Sequence, residues 1–169
     1  MLTKFFKKRG ADTDAVEIRS PLTGSVIPLA NVPDEAFAGM HMGAGIAIMP
    51  ADGKLIAPFD GTVAHLIYTH HAIVIEHPSG LQLLIHLGIN TVALNGECFN
   101  VHVQTGDAFL EGQTLIEFDS AAIAEAGFSI VCPIVIANEE EVKQLDIVVE
   151  SQDYVTAGRD SLLSAVMNI

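Results

Sequence analysis

Eight short apolar segments dominate the chain: "AVEIRS", "GSVIPL", "GIAIMP", "GTVAHLIY", "HAIVIEH", "LQLLIHL", "FNVHVQ" and "TLIEF". They are rich in β-branched residues, and Gly, Pro, Asn and Asp separate them. That spacing predicts an all-β chain, an antiparallel β-sandwich or barrel, with little room for long helices. Helical signals are short and local. Asp119 can cap "SAAIAEAG", and Asn138 with Glu141 three residues later forms a capping box before "EEEVKQL".

The strand pattern also repeats itself. "SPLTGSVIPL" (residues 20–29) and "APFDGTVAHL" (residues 57–66) share a small residue, Pro, an apolar residue, then Gly, a hydroxyl residue and Val, with Leu at the end. Pro suits a strand edge and Gly a turn or bulge, so two similar β-turn-β units are expected. Two copies suggest a duplicated sandwich rather than a solenoid. No linker divides the chain, so residues 16–169 are expected to form one domain behind a flexible basic tail, residues 1–15.

Charge narrows the function classes. The net charge is −13, yet Lys4, Lys7, Lys8 and Arg9 are four of only eight basic residues. Without those four the remainder carries 21 acids against 4 bases, which repels phosphate backbones and excludes nucleic acid as a partner. Such a surface attracts basic patches on a protein instead. "MLTKFFKKR" draws as a short amphipathic helix, so residues 1–9 could rest on an anionic membrane surface. A frayed terminus is the plainer reading, since nine residues are too few for a stable isolated helix. Neither an apolar run of membrane-spanning length nor a secretory signal is visible, and Cys98 and Cys132 stand alone. A reduced, cytoplasmic setting is expected, and peripheral contact at the inner membrane through the tail is the lesser alternative.

Histidines carry the chemistry. "YTHHAIVIEHPSG" and "GLQLLIHLGINTV" read as two strands joined at "HPSG", with Pro78 second and Gly80 fourth in a type I turn. A four-residue loop, His77 to Gly80, pairs Glu76 with Leu81 and sets His71 directly opposite His86 on one face. A three-residue loop would shift the register by one and put the two rings on opposite faces. Facing imidazoles permit covalent phosphoryl chemistry: one neutral ring nitrogen attacks phosphorus, and the other ring donates a hydrogen bond to the phosphoryl oxygens. An apolar surround limits hydrolysis. The bland alternative is two histidines packed in a half-buried sheet. A metal site is intermediate, since two ligands are too few for closed zinc coordination. His41, His65, His70, His77 and His102 lack a motif and are left outside the site.

These residues carry a resemblance. "GLQLLIHLGINTV" is similar to the phosphorylation-site signature of the glucose-type enzyme IIA of the bacterial phosphoenolpyruvate-dependent sugar phosphotransferase system, through Gly80, His86, Gly88, Thr91 and Val92. "THHAIVIE" resembles the family's second motif, with Thr69 and His71 at its threonine and second histidine. "VPDEAF", "GIAIMP", "APFDGTV", "LNGECF", "GDAFLEGQTLIEFD" and "PIVIAN" follow in order, so the likeness covers roughly residues 16 to 150.

The resemblance implies a β-sandwich of the duplicated hybrid type and a phosphocarrier that needs no cofactor. His86 would accept phosphoryl from the carrier HPr and pass it to a cysteine of a IIB domain. His71 would stabilise the transferring group, Thr69 would fix its ring, and the Gly88 region would admit the phosphate. Phe37, Ile67, Val74 and Leu84 would belong to the docking rim, beside Gly88 and Asn90. The resemblance also implies that the phosphate-free form regulates transporters or kinases, with zinc on His71 and His86 completed by a partner carboxylate. One departure stands out: the position after "HLGI", commonly Asp in the family, is Asn90 here.

Three rival readings share parts of this pattern. A zinc metallopeptidase of related fold needs a third ligand and a general base, and no His-x-His motif supplies them. A biotinyl or lipoyl carrier matches "LIAPFDGTV", yet Lys54 lacks the flanking hairpin pattern and both histidines stay unexplained. A purely regulatory binding module would use the same surface as the carrier.

Overall fold

Val, Ile and Thr fit a pleated, half-buried surface, and the segments that concentrate them are strands in the computed structural model, which describes residues 14–168. In chain order these are β1 (Val16–Arg19), β2 (Gly24–Ile27), β3 (Gly45–Pro50), β4 (Lys54–Ile56), β5 (Gly61–Leu66), β6 (Ala72–Glu76) and β7 (Gln82–His86). They continue as β8 (Phe99–Val101), β9 (Ala108–Phe109), β10 (Thr114–Phe118), β11 (Cys132–Ile136), β12 (Val142–Ile147), β13 (Tyr154–Val155) and β14 (Ser161–Met167). Two short helices, α1 (Glu35–Ala38) and α2 (Ser120–Glu125), complete the regular structure with a few 3-10 turns. Every strand pairing is antiparallel.

The sheets do not close into a barrel. One eight-stranded sheet runs β13-β2-β3-β11-β7-β6-β5-β9, and two three-stranded sheets run β1-β14-β12 and β4-β10-β8. The echoed segments become β2 and β5, both beginning at a glycine and both in the large sheet. The basic tail expected to contact membranes lies outside the described residues. Among the described residues no helix is long and apolar enough to cross a membrane.

The centre of the large sheet is buried on both faces, which is why β11 reads "CPIVI" with all five residues buried. One face sends Ile46, Ile48, Ile73, Ile75, Leu83, Ile85, Ile134 and Ile136 into the main core. The other face presents Ala47, Ala72, Leu84 and Val135 to a smaller cluster, closed by Leu29, Val32 and Phe37 from the segment around α1. Asp34 caps α1 by accepting a hydrogen bond from the Ala36 amide at 2.8 Å. The rings of His71 and His86 meet on this second face.

One of the two helix-cap expectations changes. Asp119 does cap α2, accepting from the Ala122 amide at 3.0 Å. "EEEVKQL", however, yields only a 3-10 turn at Glu139–Glu141 before the chain continues as β12, paired along β14. Asn138 makes no cap bond there, because its amide is used elsewhere. Its Nδ2 donates to the Gly80 carbonyl at 2.9 Å, and its Oδ1 accepts from the Gln82 amide at 2.9 Å. A buried side chain thus clamps the turn of the histidine hairpin.

The hairpin register also differs by one from the expected pairing. Gly80 N–H donates to the His77 carbonyl as a type I turn requires, but His77 N–H then donates to Leu81. The loop is therefore the three residues Pro78, Ser79 and Gly80, with Gly80 at φ +97°, a type I turn followed by a left-handed glycine. Glu76 pairs with Gln82 and Ala72 with His86. His71 lies opposite Leu87, whose amide donates to the His71 carbonyl at 2.7 Å.

Candidate phosphoryl-transfer site

A one-residue shift should separate the two imidazoles, yet they meet. Their ring centroids are 4.8 Å apart and their planes are inclined at 74°. The reason is local. β6 begins at Ala72, so His71 stands just before the strand, and His70 takes a left-handed φ of +66°. Strand alternation does not govern His71, and the turn delivers its ring to the face that His86 reaches by ordinary alternation.

Each ring is held by one further partner. Thr69 Oγ1 and His71 Nδ1 are 2.8 Å apart, both residues being buried. His86 Nδ1 donates to the Gly88 carbonyl at 2.6 Å. A carbonyl can only accept, so the neutral His86 ring carries its proton on Nδ1 and exposes a lone pair on Nε2. Phe37 packs its ring edge against His86 with centroids 5.2 Å apart. The glycine carbonyl is available because Gly88 adopts φ +81°, a conformation that L side chains rarely take.

Electrostatics keep both rings neutral near pH 7. Burial, reinforced by the neighbouring His86, lowers the His71 pKa to about 4. Burial also lowers His86, partly opposed by its bond to Gly88 and by the Asp34 carboxylate. Asp34 is the contributor that the histidine motifs do not reveal. The signal was the acid in "VPDEAF", which looks like a helix cap and also acts on His86.

The expected docking residues fall around this pair with unequal exposure. Phe37 and Leu84 are buried in the second cluster, and Ile67 and Val74 pack partly exposed against it. Gly88 is buried, whereas Asn90 is exposed at φ +63° before the 3-10 turn Thr91–Leu94. Large exposed apolar side chains come from the adjoining segments instead: Met40, Tyr68 and Val92. A hollow of about 780 Å³ lies between Lys54, Cys98, Phe99 and Asp119, and it contains neither histidine.

Among the described residues no group of three or more His, Cys, Asp or Glu could hold a metal ion. His71 and His86 offer two nitrogens at most, which suits zinc only if another molecule completes the shell.

Similarity to known proteins identifies the family of the chain. The model of the phosphoenolpyruvate-dependent sugar phosphotransferase system, EIIA 1, matches residues 16–142. The chain belongs to this EIIA family. It is 38% identical over 166 residues to a PTS system glucose-specific EIIA component of Oceanobacillus iheyensis, covering 98% of this chain and 99% of that one. It is 49% identical over 127 residues to a PTS system beta-glucoside-specific EIIBCA component of Dickeya chrysanthemi, covering 75% of this chain. There it spans only 20% of the relative's length, because EIIA is one part of a fused protein. The structure also resembles the glucose permease IIA from Mycoplasma capricolum, with TM-score 0.80 and 30% identity over 89% of this chain and 95% of that one. The EIIA chain is thus a β-sandwich phosphotransferase component acting in sugar uptake.

Proposed function

We propose that His86 is the phosphoryl acceptor of this EIIA, through Nε2, and that HPr is the donor and a IIB cysteine the recipient. The observation that carries this reading is the bond from His86 Nδ1 to the Gly88 carbonyl, which leaves Nε2 as the free nucleophile. The Nε2 lone pair forms the new N–P bond while the donor's P–N bond breaks, and the bonding pair leaves with the donor nitrogen. Positive charge that builds on the His86 ring is met by the Gly88 carbonyl and by Asp34. When the Thr69 hydroxyl donates to His71 Nδ1, the His71 proton sits on Nε2 and is free to bond a phosphoryl oxygen. In the second transfer a IIB thiolate attacks phosphorus and the His86 nitrogen departs. Fusion of EIIA to IIB and IIC domains in relatives supports that recipient.

Phe37, Ile67, Val74 and Leu84, with Gly88 and Asn90, would frame the surface on which both proteins dock. The same face without phosphate would serve transporters or kinases, with zinc bound only where such a partner adds ligands.

Incubation with phosphoenolpyruvate, enzyme I and HPr tests the reading. One acid-labile, base-stable phosphate should appear, and His86→Ala should take none. Phosphate on another residue, or none on the unmodified chain, would overturn it.

A further inference from the structure

Gly88 is the pivot of the site, yet glycine has the least intrinsic preference for holding one backbone conformation. Hydrogen bonds hold both of its flanking peptides. In the Leu87–Gly88 peptide, the carbonyl accepts from Thr91 Oγ1 at 2.7 Å, and the amide N–H faces the sulfur of fully buried Cys132. In the Gly88–Ile89 peptide, the carbonyl accepts from His86 Nδ1, and the Ile89 amide donates to the Ser129 carbonyl at 3.0 Å. Thr91 is the only side-chain hydroxyl in this set. It is fully buried, and its methyl group would lie 2.7 Å from a Cβ built at Gly88, so it fills the space beside the glycine.

We propose that Thr91 is a positioning residue that holds His86 in the tautomer protonated on Nδ1, acting through the Leu87–Gly88 backbone. Without the hydroxyl, the buried Leu87 carbonyl loses its partner, and such a group drives local rearrangement to regain one. Rotation of the adjoining Gly88–Ile89 peptide turns the Gly88 carbonyl away from His86. The imidazole proton is then free to move to Nε2, which removes the lone pair that attacks phosphorus. The catalytic consequence rests on His86 being the acceptor, whereas the tautomer does not.

Thr91→Val keeps the packing and removes the hydroxyl, while Thr91→Ser keeps the hydroxyl. Nitrogen-15 NMR of the imidazoles reports which ring nitrogen of His86 holds the proton. Thr91→Val should show mixed tautomers and accept phosphoryl from phospho-HPr about fivefold to tenfold more slowly at unchanged KM. Thr91→Ser should retain the Nδ1-protonated ring and most of the rate. A Thr91→Val protein with a single Nδ1-protonated ring at full rate overturns the proposal, as does equal slowing in both variants with the tautomer unchanged. If His86→Ala still becomes phosphorylated, the acceptor assignment fails while the tautomer comparison keeps its meaning.

Discussion

The rings of His71 and His86 meet edge to face with centroids 4.8 Å apart, although neither residue is the other's partner in the sheet. His86 is held by strand β7 and His71 by the turn before β6. The pair can therefore be perturbed one member at a time.

Removing His71 should separate acceptance from delivery. His71→Ala leaves His86, the proposed nucleophile, and its Gly88 bond in place, so phosphoryl should still load from HPr. Transfer onward to a IIB domain should slow by tenfold or more, on the order of one lost charge-assisted hydrogen bond. Rapid-quench assay of each half-reaction checks this. Equal loss in both halves would count against the assigned division of labour.

Thr69→Val should act in the same direction and more weakly, since it frees the His71 ring without deleting it. A loss of about fivefold in onward transfer is expected. The measurement is the same half-reaction, with Thr69→Ser as the conservative control that should restore it.

The lowered His71 pKa makes stability depend on pH in a definite sense. Above pH 6.5 both folded and unfolded chains leave this ring neutral. Between 6.5 and about 4 the unfolded chain binds a proton that the folded chain refuses, so stability falls as pH drops through that window. Urea melts across pH 7 to 4 should show the decline, and His71→Gln should flatten it. An unchanged slope in the variant would mean that other groups carry the effect.

Asp34→Asn isolates the carboxylate near His86, because asparagine caps a helix as well as aspartate does. The His86 pKa should fall further in this variant, since Asp34 raises it in the native site. NMR titration of the imidazoles measures the shift, and a rise or no change would remove Asp34 from the electrostatic account.

Asn138→Ala should destabilise the hairpin by about 1–3 kcal/mol, because the buried amide ties the Gly80 carbonyl to the Gln82 amide. Hydrogen exchange at Gln82 should accelerate along with the lower denaturation midpoint. Protection equal to the native chain would show that the turn sets its register alone.

Period-2 apolar segments revealed most of the large sheet, and "HPSG" revealed the hairpin between β6 and β7. The one-residue error in register arose because Gly80 looks the same as the end of a four-residue loop or the left-handed residue after a type I turn. His71 and His86 were still legible as a pair, since a turn residue preceding a strand can compensate a slipped ladder. β11 was harder to see. Pro133 argues against an interior strand, but its pairing with β7 starts only at Ile134, so the missing amide breaks no bond there. Similarly, "EEEVKQL" has local helical propensity that pairing with β14 overrides. Asp34 was hidden in plain view as a cap, and its influence on His86 exists only after α1 folds over the second face.

The large sheet ends in strands of two residues on both sides, β9 and β13. Such stubs offer too few unpaired amides and carbonyls to template a foreign strand. The sheet is thereby shielded from joining other chains edge to edge, so frequent encounters with them need not seed aggregates.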